Sequence, residues 1–285
     1  LSTVQMLVLT LVLVYMIHYR SNYSFNAWLY GYILSFAIGI FLVKIILIKI
    51  WNKERKFTFR IRDFIDLIQY GKWAQLANIA QLLNYRLGYY LLEYFAGKTA
   101  LGVYSSAVAI AEGVWLISKS FSMVVFTRIA NMKSQSEALT LTFQYARISL
   151  YFSVLFLVAL LLVPASAYVK IFGPEFGEIK PLLFLLSPGV IFFALTTVYV
   201  HYFSGTARPR ISSISSIIGL VITLIVGLLL IPGYEKTGVA ITASLSFISS
   251  GIYLIVMILK EPEASLNKLL PNVNDGKKML EFIKR

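Results

Sequence analysis

Two ionised side chains lie in stretches that are otherwise apolar enough to cross a bilayer. Arg86 falls inside QYGKWAQLANIAQLLNYRLGYYLLEYF (69–95), and Glu112 falls inside the apolar run 99–128 that follows. A charged residue at a helix centre costs about 2.5–3.5 kcal/mol even on the lenient insertion scale, so each needs a partner or water. A guanidinium with five donors suits phosphate, and a carboxylate beside it can either hold it ready or neutralise it. Both roles remain open for the pair. At 100° per residue Gln75, Asn78, Arg86, Tyr89, Tyr90 and Glu93 share a sector of about 120° on the first helix. Ser105, Glu112 and Lys119 recur every seven residues on the second, so they too share a face. The candidate substrate-binding residues are therefore Arg86, Glu112, Tyr89, Tyr90, Lys119, Gln75 and Asn78. Tyr85 and Trp115 add rings that could stack on sugars, although packing explains them equally.

The elements that carry these residues follow from composition. Of 285 residues 58% are hydrophobic and only 14% charged, against about 25% charged in soluble domains. The chain reads as an all-α integral membrane protein with about eight transmembrane helices. The spans are expected near 2–18, 26–48, 70–95, 99–128, 143–169, 181–203, 211–231 and 238–259, each near the 20 residues a crossing needs. Ala96-Gly97-Lys98 forms the turn between the two charged helices. Residues 57–69 alternate basic and apolar side chains and are expected to lie on the membrane surface. Ser187-Pro188-Gly189 predicts a kink in the sixth span. Ser212/Ser216 and Ser215/Gly219 have the small-xxx-small spacing that lets backbones approach, and packing is the expected role of the Ser and Thr residues there. Trp28, Tyr30, Tyr32 and Trp51 suit an interfacial belt.

The net charge of +13 is distributed by topology, not gathered into a nucleic-acid patch. Loops at alternate helix ends carry 20 Lys and Arg on one side and five on the other, with Arg86 between. The positive-inside rule puts the first side, and both chain ends, in the cytoplasm, so the expected location is the cytoplasmic membrane. No Cys is present, so disulfides and thiolate metal sites are excluded. His18 and His201 fall at opposite membrane faces and cannot act together. No nucleophile elbow, Gly-rich phosphate loop or metal-ligand spacing occurs, so no catalytic residue, cofactor, metal or enzymatic activity is expected.

Several segments carry a family resemblance. Arg86-Leu87-Gly88-Tyr89-Tyr90 and Leu101-Gly102-Val103-Tyr104-Ser105, with Ala107, Glu112 and Trp115, resemble the seventh and eighth helices of polysaccharide transporters. These are the O-antigen and capsule-type oligosaccharide flippases, relatives of the multidrug and toxin extrusion proteins. IFGPEF (171–176), Ser187-Pro188-Gly189, YFSGTARPR (202–210), Ile231-Pro232-Gly233-Tyr234 and Thr237-Gly238-Val239-Ala240 extend the likeness. The resemblance implies two six-helix lobes around a cationic cavity that holds a polyprenyl-pyrophosphate-linked glycan. It makes residues 1–50 the last two helices of an N-terminal lobe, 51–69 a basic linker with a surface helix, 70–259 a complete C-terminal lobe and 260–285 a cytoplasmic tail. On that alignment the sequence is a C-terminal fragment. The implied partners are the glycan carrier, membrane lipids and polysaccharide assembly proteins, with no nucleic acid. The alternatives are a cation-coupled extruder of the same superfamily, a membrane glycosyltransferase or polysaccharide polymerase, and a non-transporting scaffold. An extruder wants acidic groups in its cavity, of which only Glu112 qualifies; a polymerase wants a large outer loop; a scaffold needs no charge at mid-depth.

Overall fold

A bilayer offers no water to the backbone, so a chain this apolar must satisfy its N–H and C=O groups within helices. The computed structural model describes residues 9–11, 14, 25–50, 60–132, 134–262, 264, 265 and 268, and among them every regular element is helical. The chain divides into two compact units, Leu1–Arg60 and Ile61–Arg285. In the first, α1 (Phe25–Ile50) is one apolar helix of 26 residues, about 39 Å and long enough to cross. The expected first span lies outside the described residues except for 9–11 and 14, which are helical. Most of the basic cluster after α1 and the tail beyond 268 also lie outside them.

The second unit contains α2 (Ile61–Ile129), α3 (Gln135–Leu162), the short α4 (Ala165–Phe172), a 3₁₀ turn (Pro174–Phe176), α5 (Ile179–Gly205) and α6 (Pro209–Leu259). Four stretches are long and apolar enough to span: Ile61–Ile129, Gln135–Leu162, Pro174–Gly205 and Pro209–Leu259. The first and last are each two rods. At Gly97 the backbone takes φ 81° and ψ 179°, a conformation open to glycine and strained for residues with a β-carbon. Tyr85 and Trp115 would be about 45 Å apart along a straight helix, yet their rings stack at 5.5 Å between centroids. So α2 folds back as the turn at Ala96-Gly97-Lys98 predicts. Helix α6 folds back at Glu235 (φ 45°, ψ −120°). Across that hairpin Ser215 Oγ donates to the Ser250 carbonyl at 3.1 Å, and Ser246 Oγ to the Gly219 carbonyl at 2.9 Å.

Two details depart from the sequence expectations. The helix of residues 61–69 runs unbroken into the third span, giving a rod over 61–96 about 54 Å long. This exceeds the roughly 30 Å hydrocarbon core, so its first turns, which carry Arg62, Asp63 and Asp66, reach beyond the bilayer as part of the spanning helix. The fifth span is Gln135–Leu162, not 143–169. Ser134 caps its start, its Oγ accepting the Glu137 N–H at 3.3 Å. Pro164 ends it, because the residue before a proline is driven to extended geometry, as Val163 shows (φ −60°, ψ 127°). Beyond the break α4 is clipped back by the Tyr168 hydroxyl, which donates to the Leu160 carbonyl at 2.8 Å.

At Pro188 α5 continues as one helix. The Pro-Gly pair also marks a close helix crossing. A β-carbon on Gly189 would stand 2.5 Å from Ser244 Cα, and Ser244 Oγ donates to the Leu185 carbonyl at 2.6 Å. Small residues make a second seam inside α6 and against α2. Gly219 sits under Asn84 and Ser246. Asn84 is only 7% exposed. It donates to Ser246 Oγ at 3.0 Å and accepts from the Thr223 hydroxyl, pinning the first rod of α2 to both rods of α6. Ser213 Oγ adds a bond to the Trp73 carbonyl.

The rod ends sort into two levels. At one end Arg208 grips the buried Glu261 with two bonds, at 2.6 and 3.1 Å, and Gln135 and the Tyr202 hydroxyl donate to the same carboxylate at 2.8 and 3.2 Å. Tyr70 donates to the Ser204 carbonyl at 3.1 Å near that level. At the opposite end Lys236 pairs with Glu178 at 2.8 Å. Two apolar clusters fill the interior. One forms around Trp115, Tyr104, Leu182 and Phe247, the other around Phe143, Tyr199, Tyr202 and Ile258.

Two substitutions test these seams by thermal unfolding of purified protein in one detergent. Gly189→Ala is expected to cost about 1–3 kcal/mol through overpacking. Gly102→Ala, which meets nothing within 4 Å, should be neutral or slightly stabilising; equal melting of the two variants overturns the close crossing. Asn84→Ala is expected to cost about 1–2 kcal/mol by leaving the Thr223 hydroxyl without its acceptor. Asn84→Ala/Thr223→Val should recover part of that loss, and a strictly additive double variant contradicts the coupling.

Candidate functional site

The fold-back of α2 brings Arg86 and Glu112 to one place. They lie on facing rods, Arg86 eleven residues before the fold-back at Gly97 and Glu112 fifteen residues after it, and both line a single cavity of about 220 Å³. Tyr85, Tyr89, Trp115 and Phe247 give it an aromatic wall. Asn84, Thr223, Thr242 and Ser246 give it polar groups from the other side. The cavity therefore sits between the hairpin of α2 and the hairpin of α6, with the close crossings of the fold bounding it.

Both charged side chains are exposed, at the open rim and not in the core. Among the described residues neither forms a salt bridge, so the direct Arg86–Glu112 pair is not made. The Arg86 guanidinium instead stands 5.9 Å from the centroid of the Tyr89 ring, within cation–π range. Tyr89 packs edge-on against Tyr104 at 5.5 Å, which holds its ring upright beside the guanidinium. Two opposite charges thus line one opening without cancelling by contact.

The wall is rigid. Trp115 stacks on Tyr85 at 5.5 Å, lies 4.6 Å from Phe193 and meets Phe247 edge-on at 5.5 Å. Only 4% of Trp115 is exposed, and its indole Nε1 is buried with no hydrogen-bond acceptor. A buried unsatisfied donor costs about 1–3 kcal/mol, so the ring is held there by its neighbours and not by its polar atom.

Of the residues singled out by periodicity, Arg86, Glu112 and Tyr89 line the cavity. Gln75, Asn78 and Lys119 are exposed on the same faces but outside its lining. Gln75 is eleven residues before Arg86, about 16 Å along the rod, and Lys119 is about 10 Å beyond Glu112. Tyr90, 66% exposed, is turned about 100° from Tyr89 and also stays outside. Glu93 is half-buried and lies outside as well. His201 is tied to its own helix, its Nδ1 lying 2.8 Å from the Thr197 carbonyl.

The polar wall of Asn84, Thr223 and Ser246 is absent from the sequence reading. Asn84 points about 160° away from Arg86, off the charged stripe, so periodicity on one helix hides it. The available signal was a polar amide in an apolar run facing two Ser/Thr-rich spans.

Comparison with known proteins places this arrangement. The lipid II flippase MurJ family profile matches residues 1–273. An uncharacterized membrane protein of Methanocaldococcus jannaschii is 24% identical over 284 residues, covering 97% of this chain and 54% of that protein. The capsular polysaccharide biosynthesis protein CapF of Staphylococcus aureus is 23% identical over 243 residues, covering 84% of this chain and 61% of that one. The chain thus spans little more than half the length of these relatives. A solved structure of lipid II flippase MurJ in an inward closed conformation superposes with a TM-score of 0.57 at 16% identity, over 99% of this chain and 64% of that one. The match by sequence profile covers nearly the whole chain, and the helical fold agrees with it. The chain is a multi-pass membrane protein and belongs to the lipid II flippase MurJ family.

Proposed function

We propose that this chain forms part of an alternating-access flippase that carries the charged headgroup of a lipid-linked oligosaccharide across the cytoplasmic membrane for surface polysaccharide assembly. The observation that carries this reading is Arg86, an exposed guanidinium with no salt-bridge partner among the described residues, on the rim of a cavity between membrane-crossing rods. A guanidinium not held in a salt bridge attracts phosphate strongly, because its donor fork matches two oxygens. Gln75, Asn78, Tyr90 and Lys119 extend the polar face along both rods, where a sugar chain would pass. The lipid tail stays in the bilayer, while the headgroup crosses along this face and the lobes rock to open each side in turn. The six rods of Ile61–Leu259 serve as the C-terminal lobe, and residues 1–50 as the last two helices of an N-terminal lobe. Polysaccharide assembly proteins are the natural partners of such a carrier. Glu112 in the same cavity favours a second reading, a cation-coupled extruder, in which the carboxylate and not the guanidinium is essential.

Complementation of a cell deficient in flipping its lipid-linked glycan separates these readings, with membrane abundance measured alongside. Arg86→Leu/Glu112→Leu is expected to reach the membrane at normal abundance and to restore less than about a tenth of surface glycan. Arg86→Lys should retain partial function, since it keeps the charge and loses the bidentate fork. Normal surface glycan from the double variant removes Arg86 from the binding machinery. Loss in Glu112→Gln with full activity in Arg86→Leu favours the extruder.

From the distribution of Lys and Arg we infer a cytoplasmic side for the loop at 130–134 and for both chain ends. With no native cysteine, single thiols report topology directly. Gly177→Cys and Thr237→Cys are expected to react with an impermeant reagent added outside, and Ser134→Cys to stay unlabelled until the membrane is opened. The reverse pattern inverts the orientation.

A further inference from the structure

The cavity holds more than an anion site. Glu112 shares its lining with five aromatic side chains, Tyr85, Tyr89, Tyr104, Trp115 and Phe247. A carboxylate beside ring faces is the chemistry that recognises an ammonium group: the rings attract the cation through their quadrupoles and the carboxylate accepts its N–H donors. Arg86 lines the same opening and is not spent on Glu112. Were the pair architectural, the two would meet and cancel, since leaving both apart in a membrane protein is costly. Held apart around one cavity, they form a dipolar mouth, attracting an anion at one point and a cation at another.

The volume limits what enters. About 220 Å³ is below the roughly 300–1,000 Å³ of pockets for drug-sized ligands, so the cavity admits one ring or one short branch and not a chain of sugars. The aromatic wall offers apolar contact to a pyranose, and Asn84, Thr223 and Ser246 are already satisfied by one another. The discriminating groups are therefore the two charges.

We propose that this cavity is a specificity subsite for a headgroup sugar that bears an ammonium close to its phosphate, with Arg86 binding the phosphate and Glu112, backed by the aromatic wall, binding the ammonium. The inference rests on the flippase reading for Arg86 and adds the amino group to it. It separates substrates that an anion site alone treats alike: two lipid-linked sugars differing only in an amine or a hydroxyl beside the phosphate.

Three soluble probes divide the two charges: glucosamine 1-phosphate carries both, glucose 1-phosphate only the anion, and glucosamine only the cation. Trp115 reports binding in its own wall once Trp28, Trp51 and Trp73 are replaced by Phe, with the protein in maltoside micelles. Glucosamine 1-phosphate is expected to bind about tenfold more tightly than glucose 1-phosphate. Glu112→Gln should abolish that preference and leave glucose 1-phosphate affinity within about twofold. Arg86→Gln should weaken both phosphates about tenfold or more. Equal affinity for the two phosphates, or a preference that survives Glu112→Gln, overturns the amine subsite while leaving the flippase reading intact. Failure of both phosphates to bind, with glucosamine alone bound, overturns the anion role of Arg86 and the subsite together. Thermal melting of each variant within a few degrees of the parent shows that lost binding is not lost folding.

Discussion

Asn84 is the pin on which the arrangement turns. Lipid tails are as apolar as leucine, so expelling them gives no hydrophobic drive to hold one rod against another. Cohesion has to come from close contact and from polar bonds made across helices. Asn84 supplies both, bonding Ser246 and Thr223 on the two rods of α6 from its place on α2. Gly219 leaves room for it, since a β-carbon there would stand 2.9 Å from its amide nitrogen. With the hairpins of α2 and α6 fixed this way, the space left between them is the cavity that presents Arg86 and Glu112. The geometry of the cavity is thus set by a residue that carries no charge.

The same logic explains why the charges sit at a rim. Had Arg86 and Glu112 been buried, each would have needed the other, and a direct pair would close the opening. The folding back at Gly97 puts them on facing rods, while the aromatic side chains between them keep the rods from closing. Trp115 is wedged among Tyr85, Phe193 and Phe247 at centroid distances of 4.6–5.5 Å. Its unsatisfied indole nitrogen is a small loss tolerated for a rigid wall.

Much of this was legible from the chain alone, because membrane helices obey few rules. Apolar run length located the rods, and the glycine of Ala96-Gly97-Lys98 marked the first fold-back. The seven-residue recurrence and the 100° projection put Arg86, Tyr89 and Glu112 on faces that do meet. The errors have local causes. The fifth span was extended through Pro164, although proline both ends α3 and starts α4. At Pro188-Gly189 the glycine has a use that spacing alone does not reveal, admitting Ser244. Depth along a rod is absent from such a projection. Gln75 and Lys119 share these faces but stand outside the cavity lining, because a projection down the axis discards height. Asn84 was hidden for the complementary reason, since it faces away from the charged stripe and toward helices far off in sequence.

The seam where Gly189 meets Ser244 bears on temperature. Burial of apolar surface from water carries a large heat-capacity change, and the stabilisation it gives fades on cooling. A seam of backbone contact and a hydroxyl–carbonyl bond, formed out of lipid and not out of water, has no such dependence. The rods of this bundle are therefore held by an attraction that keeps its strength in the cold. What stiffens on cooling is the lipid around them, so the membrane, and not the packing of the bundle, sets the lower limit of its working range.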